Sequence, residues 1–387
     1  MLVRLMSSNE ETAARPRISS RDREVQRDQL RVWLAERLGD ARAQVSPLVV
    51  PPTNGMSSET LLFDASWDEA GARQTRAYVA RVAPDPTALP VFPTYDMEGQ
   101  FRIMRLIAAV TTVPVPVTVW YEPDTKALGA PFFVMERVDG RVPPDLMPYT
   151  FGDNWLFDAD QTEQQRLQAA SVGIVAKIHE IGPDGPASFL TLDAPGDTHL
   201  RRHVNSQRAY YEWIVAGAER IPLIERAVAW LEDHWPAHVS ADALSWGDAR
   251  IGNIIYRDFE PVAVLDWEMA AIGPPEIDLG WMIFLHRFFQ DLTEQAGLVG
   301  MPGFLRRDDV ASAYEAITGR SPRDLDFYTV YAALRHAIIM ARIAGRSIHF
   351  GEAIEPDDPD DLILHRPTLE AMVEGTYWRD IGGNRTR

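Results

Sequence analysis

The sequence predicts an α+β chain of two lobes. Strand-like runs dominate up to about residue 138, and long helical patterns dominate beyond it. One short apolar strand pair interrupts the helices near residues 254–265, and it is flanked by Asp248, Asn253 and Asp266. The expected organisation is a mobile tail over residues 1–21, a smaller lobe over 22–138 and a mostly helical lobe over 139–387.

The tail is Ser, Glu, Arg and Pro with little periodicity from Ser7 to about Arg21. From Asp22, Leu30, Val32, Trp33, Leu34 and Leu38 recur at helical spacing, and Gly39 ends that helix. Glu59 to Ala65 and Thr75 to Val82 read as two strands joined by a polar turn at Asp68 to Gly71, a hairpin. Met97 to Val110 reads as a helix with Phe101, Ile103, Met104, Ile107 and Ala108 on its apolar side, broken by Val113-Pro114-Val115-Pro116. Val117 to Tyr121 and Phe132 to Glu136 are two further strands. Helices are then expected over Gln161–Ile181, His203–Ala218, Ile221–His234, Asp308–Ile317 and Leu325–Ala344. The aromatic and methionine stripe from Trp281 to Phe289 reads as core.

Composition excludes several classes. The 387 residues contain no cysteine, which removes disulfides, zinc-thiolate sites and thiol nucleophiles and suits a cytoplasmic setting. Lys plus Arg is 38 against 56 Asp plus Glu, a formal charge of −18, so no nucleic-acid partner and no anionic membrane surface is expected. Apolar runs such as Ile338-Ile339-Met340 fall far short of the ~20 residues a membrane span needs. The start, Met1 to Met6, turns polar at Ser7, too soon for a secretory signal. Oligomeric state is not readable.

Chemistry concentrates in Leu244-Ser245-Trp246-Gly247-Asp248-Ala249-Arg250-Ile251-Gly252-Asn253, followed by Val262-Ala263-Val264-Leu265-Asp266-Trp267-Glu268. Asp248 lies between Gly247 and a short loop, where a carboxylate can accept a hydroxyl proton. Asn253 enters the strand pair and Asp266 leaves it, so a hairpin would bring two oxygen donors toward one hard cation. Phosphoryl transfer needs such parts, because the protein mainly positions the nucleophile and neutralises phosphate charge. Taken singly, Asp and Asn in loops are more often turn residues or helix caps. The spacing and the order of elements favour the catalytic reading.

Gly247-Asp248-x-x-x-x-Asn253 followed by Asp266 resembles the catalytic segment of aminoglycoside phosphotransferases and choline-kinase-like enzymes. It is also similar to the catalytic loop and metal-binding Asp of protein kinases. The tract Trp246 to Asn253 looks like the branch found in bacteria and in fusions with acyl-CoA dehydrogenases. Pro275-Glu276-Ile277-Asp278-Leu279-Gly280-Trp281 and Phe133 to Gly140 resemble further family segments, and the likeness runs from about residue 45 to 370. It implies a protein-kinase-like fold with a small antiparallel sheet and helix before a large helical lobe. It also implies ATP and Mg2+ as cofactors and a small-molecule hydroxyl acceptor. By the same resemblance Asp248 is the catalytic base, Asn253 and Asp266 hold metal, and Asp278 braces the catalytic loop.

The resemblance also assigns nucleotide contacts. Where the family has Lys in a strand, Arg81 stands in Tyr78-Val79-Ala80-Arg81-Val82, and its guanidinium can pair with phosphate in a bidentate way. Its carboxylate partner would be Glu98, with Gln100 the alternative at the family's spacing. The phosphate-covering loop would be Thr53 to Glu59, with Gly55 and Ser57, although an ordinary turn fits it equally. Backbone near Glu136 and Val138 would meet adenine. Trp246 stands where the family often has His, and His179 is expected to end a helix or sit in the core. No GxxxxGK[ST] and no GxGxxG after a strand is present.

The acceptor stays open among an aminoglycoside, an amino alcohol and a hydroxyacyl-CoA. Rival readings are a catalytically weak, pseudokinase-like nucleotide-binding module and a two-carboxylate hydrolase using Asp248 and Asp266 without nucleotide.

Overall fold

The computed structural model describes residues 21–51, 57–145 and 148–378. The chain divides into two compact units. Among the described residues, one gathers 21–145 with 254–268, and the other gathers 148–253 with 269–378.

The first unit is built on a five-stranded antiparallel sheet. Its strands are β1 (Gln44–Val45), β2 (Glu59–Glu69), β3 (Ala72–Val82), β4 (Thr118–Glu122) and β5 (Phe132–Glu136), in the order β1-β2-β3-β5-β4. Strands β2 and β3 are four and three residues longer than the polarity pattern suggests. The chain reverses in two residues, Ala70 and Gly71, both with positive φ, so pairing continues to Glu69↔Ala72. Burial alternates strictly along β2 from Glu59 to Asp68, which sends Leu61, Phe63, Ala65 and Trp67 into the core. There they meet Leu30, Trp33 and Leu34 of helix α1 (Arg23–Leu38). Asp22 caps the start of α1 and Gly39, at φ 66°, ends it, as the sequence predicts. Glu59 is fully buried and fastens α1 to the sheet through Arg21, Arg23 and Gln26.

Helix α2 (Met97–Val110) packs on β4 and β5. A second hairpin, β7 (Ile254–Arg257) and β8 (Glu260–Val264), belongs to the same unit. It turns through Asp258 and Phe259, both at positive φ. Val264 N–H bonds the Pro114 carbonyl at 2.8 Å, and Tyr256 N–H bonds the Arg141 carbonyl at 2.8 Å.

The second unit is helical. It comprises α3 (Gln161–Ile178), α4 (His199–Ile214), α5 (Pro222–Asp233), α6 (Glu276–Gln295), α7 (Arg307–Thr318), α8 (Leu325–His349) and α9 (Arg366–Val373). A two-stranded pair, β6 (Ala243–Ser245) with β9 (Ala271–Gly273), carries the loop that follows β6. Helix α6 is buried on nearly every side and includes the Trp281 to Phe289 stripe. It lies so close to α8 that a Cβ on Gly280 would stand 2.6 Å from the Tyr328 carbonyl oxygen. Burial holds His203 and His286 down to about 3, and His365 to about 4. These rings are neutral core groups. Among the described residues no helix is long and apolar enough to cross a membrane.

Candidate active site

The loop after β6 hangs on one carboxylate. Asp278, in the first turn of α6, has no exposed surface. Its Oδ1 accepts from the Ser245 hydroxyl at 2.7 Å and from Gly247 N–H at 2.9 Å. Its Oδ2 accepts from Trp246 N–H at 2.7 Å and from His179 Nε2 at 2.9 Å. Burial alone would raise this carboxyl. The donors, led by His179, outweigh that and hold it below the usual Asp value. A carboxylate cannot donate, so His179 Nε2 carries the proton, and Nδ1 faces the Tyr314 hydroxyl at 3.0 Å. His179 follows the last turn of α3, where the sequence expects it, and is buried.

Asp248 emerges from this anchored segment. Gly247 stands at φ 87°, and a Cβ there would lie 2.0 Å from the Met269 carbonyl oxygen, so only glycine fits. Asp248 Oδ1 accepts from the indole N–H of Trp281 at 2.6 Å. Its Oδ2 accepts from Asn253 Nδ2 at 2.7 Å and from Arg250 Nε at 3.2 Å. Asn253 also donates to the Asp248 carbonyl at 3.1 Å, so its amide nitrogen is spent on Asp248 and its amide oxygen is left for another partner. The structure thus brings Asp248, Asn253 and Asp278 together. The sequence reading missed Trp281 as a donor, and its one signal was a position three residues after Asp278 on the same helix.

The other predicted residues lie in the sheet unit. Asp266 sits two residues beyond β8 at φ 59°, in the left-handed region where a non-glycine residue is uncommon. Trp267 Nε1 donates to the Val264 carbonyl at 3.2 Å and holds this turn. Arg81 donates to Asp266 Oδ1 at 3.0 Å and to the Thr60 hydroxyl at 3.0 Å. The partner expected for Arg81 is therefore corrected. Neither Glu98 nor Gln100 takes it. Gln100 is buried, with its amide 3.8 Å from the Met97 sulfur, and Glu98 is exposed in the first turn of α2. Ser57 donates to Glu268 Oε2 at 2.8 Å, so its hydroxyl is engaged by a carboxylate. Gly55 lies outside the described residues. Glu136 N–H is taken by the Val117 carbonyl at 2.9 Å, which leaves Val138 the more open of the two backbone positions expected to face adenine.

Comparison with known proteins fits this geometry. The model of the phosphotransferase enzyme family matches residues 49–307. The chain belongs to that family. Its fold is that of the kinase-like aminoglycoside phosphotransferases, as the solved structures demonstrate. A Ralstonia eutropha protein named for the aminoglycoside phosphotransferases superposes with a TM-score of 0.62 at 23% identity, covering 91% of this chain and 97% of the other. A thermostable mutant of aminoglycoside phosphotransferase APH(4)-Ia, in ternary complex with AMP-PNP and hygromycin B, gives 0.52 at 17% identity, covering 89% and 98%. Among curated relatives, human acyl-CoA dehydrogenase family member 11 is 27% identical over 208 residues, 53% of this chain and 24% of that protein. The chain thus spans about a quarter of the length of that relative.

Proposed function

We propose that the chain transfers the γ-phosphoryl group of Mg2+-bound ATP to a hydroxyl of a small molecule, with Asp248 as the base. The observation that carries this reading is the state of Asp248: a fixed donor on each oxygen, on a loop pinned by Asp278. A carboxylate so oriented can accept the acceptor's proton as its oxygen attacks the γ-phosphorus in line.

The residues present suit a hard cation. The Asn253 amide oxygen and one Asp266 oxygen accept no hydrogen bond among the described residues. Mg2+ commonly takes one or two protein ligands and completes its shell with water and phosphate oxygens. When bound, it would neutralise charge on the phosphates. Arg81 would serve the phosphates as well, and backbone near Val138 the adenine edge.

An aminoglycoside is the first acceptor to test, because the similar aminoglycoside phosphotransferase APH(4)-Ia is solved in complex with AMP-PNP and hygromycin B. A hydroxyacyl-CoA is the second, favoured by the naming of the curated relatives after acyl-CoA dehydrogenases. ATP consumption measured with aminoglycosides, amino alcohols, sugars and hydroxyacyl-CoAs should show acceptor-dependent turnover that Asp248→Ala removes. Turnover that persists in Asp248→Ala, or that needs no nucleotide, would overturn the reading.

A further inference from the structure

Arg335 is a buried cation with no ion-pair partner among the described residues. It lies on α8 and is 3% exposed. Its Nη2 donates to the Gly247 carbonyl at 3.2 Å, while Nε and Nη1 have no hydrogen-bond partner among the described residues. The guanidinium has ring faces instead. Its Cζ lies 4.7 Å from the centre of the Trp281 ring and 5.6 Å from that of Tyr331. A charge buried this way is costly, and a methionine would fill the space more cheaply.

The arrangement makes sense through what Trp281 does with its edge. The indole that meets Arg335 on its face donates its N–H to Asp248 Oδ1 at 2.6 Å. A cation over the face draws electron density from the ring and strengthens that N–H as a donor. The same guanidinium holds the carbonyl of Gly247, the residue before Asp248. Two tethers therefore run from α8, one through the indole to the Asp248 carboxylate and one to the backbone just before that residue.

We infer that Arg335 is a positioning residue for Asp248, acting mainly through the indole of Trp281. The kinetic consequence rests on the reading of Asp248 as the base. The structural consequence does not, and both are measured.

In 15N-labelled full-length protein, the Trp281 indole N–H resonance is assigned by its disappearance in Trp281→Phe. It should lie downfield in the wild type, move upfield in Arg335→Met, and stay in place in Arg335→Lys, which keeps a cation near the ring. With ATP and an accepted substrate, Arg335→Met should lower kcat about thirtyfold with both KM values unchanged, the size of a desolvated cation–π contact. Arg335→Lys should recover most of that loss. In a Trp281→Phe background, Arg335→Met should cost at most about threefold more, because coupled residues are not additive. An unmoved resonance in Arg335→Met, or kcat losses that simply multiply, would overturn the inference. Should Arg335→Met fail to fold, a wild-type resonance already at the position of a free indole, or a full loss in Arg335→Lys, would do the same. Absence of any wild-type turnover would sink the proposed function and leave the resonance to decide this one.

Discussion

Arg81 and Asp266 are bound to each other, guanidinium nitrogen to carboxylate oxygen, at 3.0 Å. Their side chains are only 12% and 16% exposed, so water screens the pair weakly. The cation expected to meet phosphate thus holds the carboxylate expected to meet metal, and a metal ion bound there as proposed would have to compete with it.

Removing Arg81 should therefore ease metal binding while it harms nucleotide use. Arg81→Gln is expected to bind Mn2+ roughly fivefold more tightly than wild type without nucleotide, the equivalent of about 1 kcal/mol for a modest ion pair. Titration calorimetry reads this directly. Asp266→Asn should lose the binding in either background.

Asp278 should be the costliest carboxylate to neutralise in the helical unit. Asp278→Asn keeps the size but sets amide hydrogens against backbone donors, at a cost of ~2–5 kcal/mol. Urea denaturation measures it. Because the folded carboxyl lies below its unfolded value, its contribution is complete above the unfolded value near 4 and is lost as pH falls further. The destabilisation caused by the substitution should shrink over that acid range.

Gly247→Ala should be expelled by geometry rather than by chemistry. A left-handed backbone penalty and a Cβ 2.0 Å from the Met269 carbonyl oxygen act together. The expected loss is ~2–5 kcal/mol, with turnover falling even where the variant folds. Thermal unfolding and kinetics on the same preparation separate the two effects.

The buried histidines give a second, higher pH window. His203 and His286 are held to about 3 and His365 to about 4, and His336 is also lowered, first by burial and then by His365. Each binds a proton more readily when unfolded. Their stabilisation is full above about pH 6.5 and is lost as pH falls toward the folded values. Stability should drop by roughly 3–5 kcal/mol per pH unit between pH 6 and 5, at about 1.4 kcal/mol per proton. A urea midpoint unchanged across that range would contradict the assignment.

Asp278, 31 positions from Gly247, was reached only through the family resemblance, whereas Asp248 and Asn253 stood out as candidates because they are close in sequence. A glycine before a carboxylate, a short loop and an apolar strand are neighbours in sequence and in space. Trp281 was not legible, because a tryptophan within an apolar stripe reads as core and nothing in one dimension tells where its N–H points. Helix α6 itself escaped notice for a related reason. It is buried almost all round, so it has no polar face to give a helical period. The partner of Arg81 was misread as Glu98 or Gln100 because spacing favours nearby residues, whereas Asp266 is 185 positions away. Arg335 was hidden by the same distance, 88 positions from Gly247.

On the proposed reading of Asp266 as a metal ligand, its left-handed backbone sets folding against chemistry at a single position. Asn and Gly accept that conformation more easily than Asp does, and neither would offer the same anionic oxygen. Directed evolution for heat tolerance alone would be expected to discard the acid there. Retaining it requires that every round of selection also reward turnover.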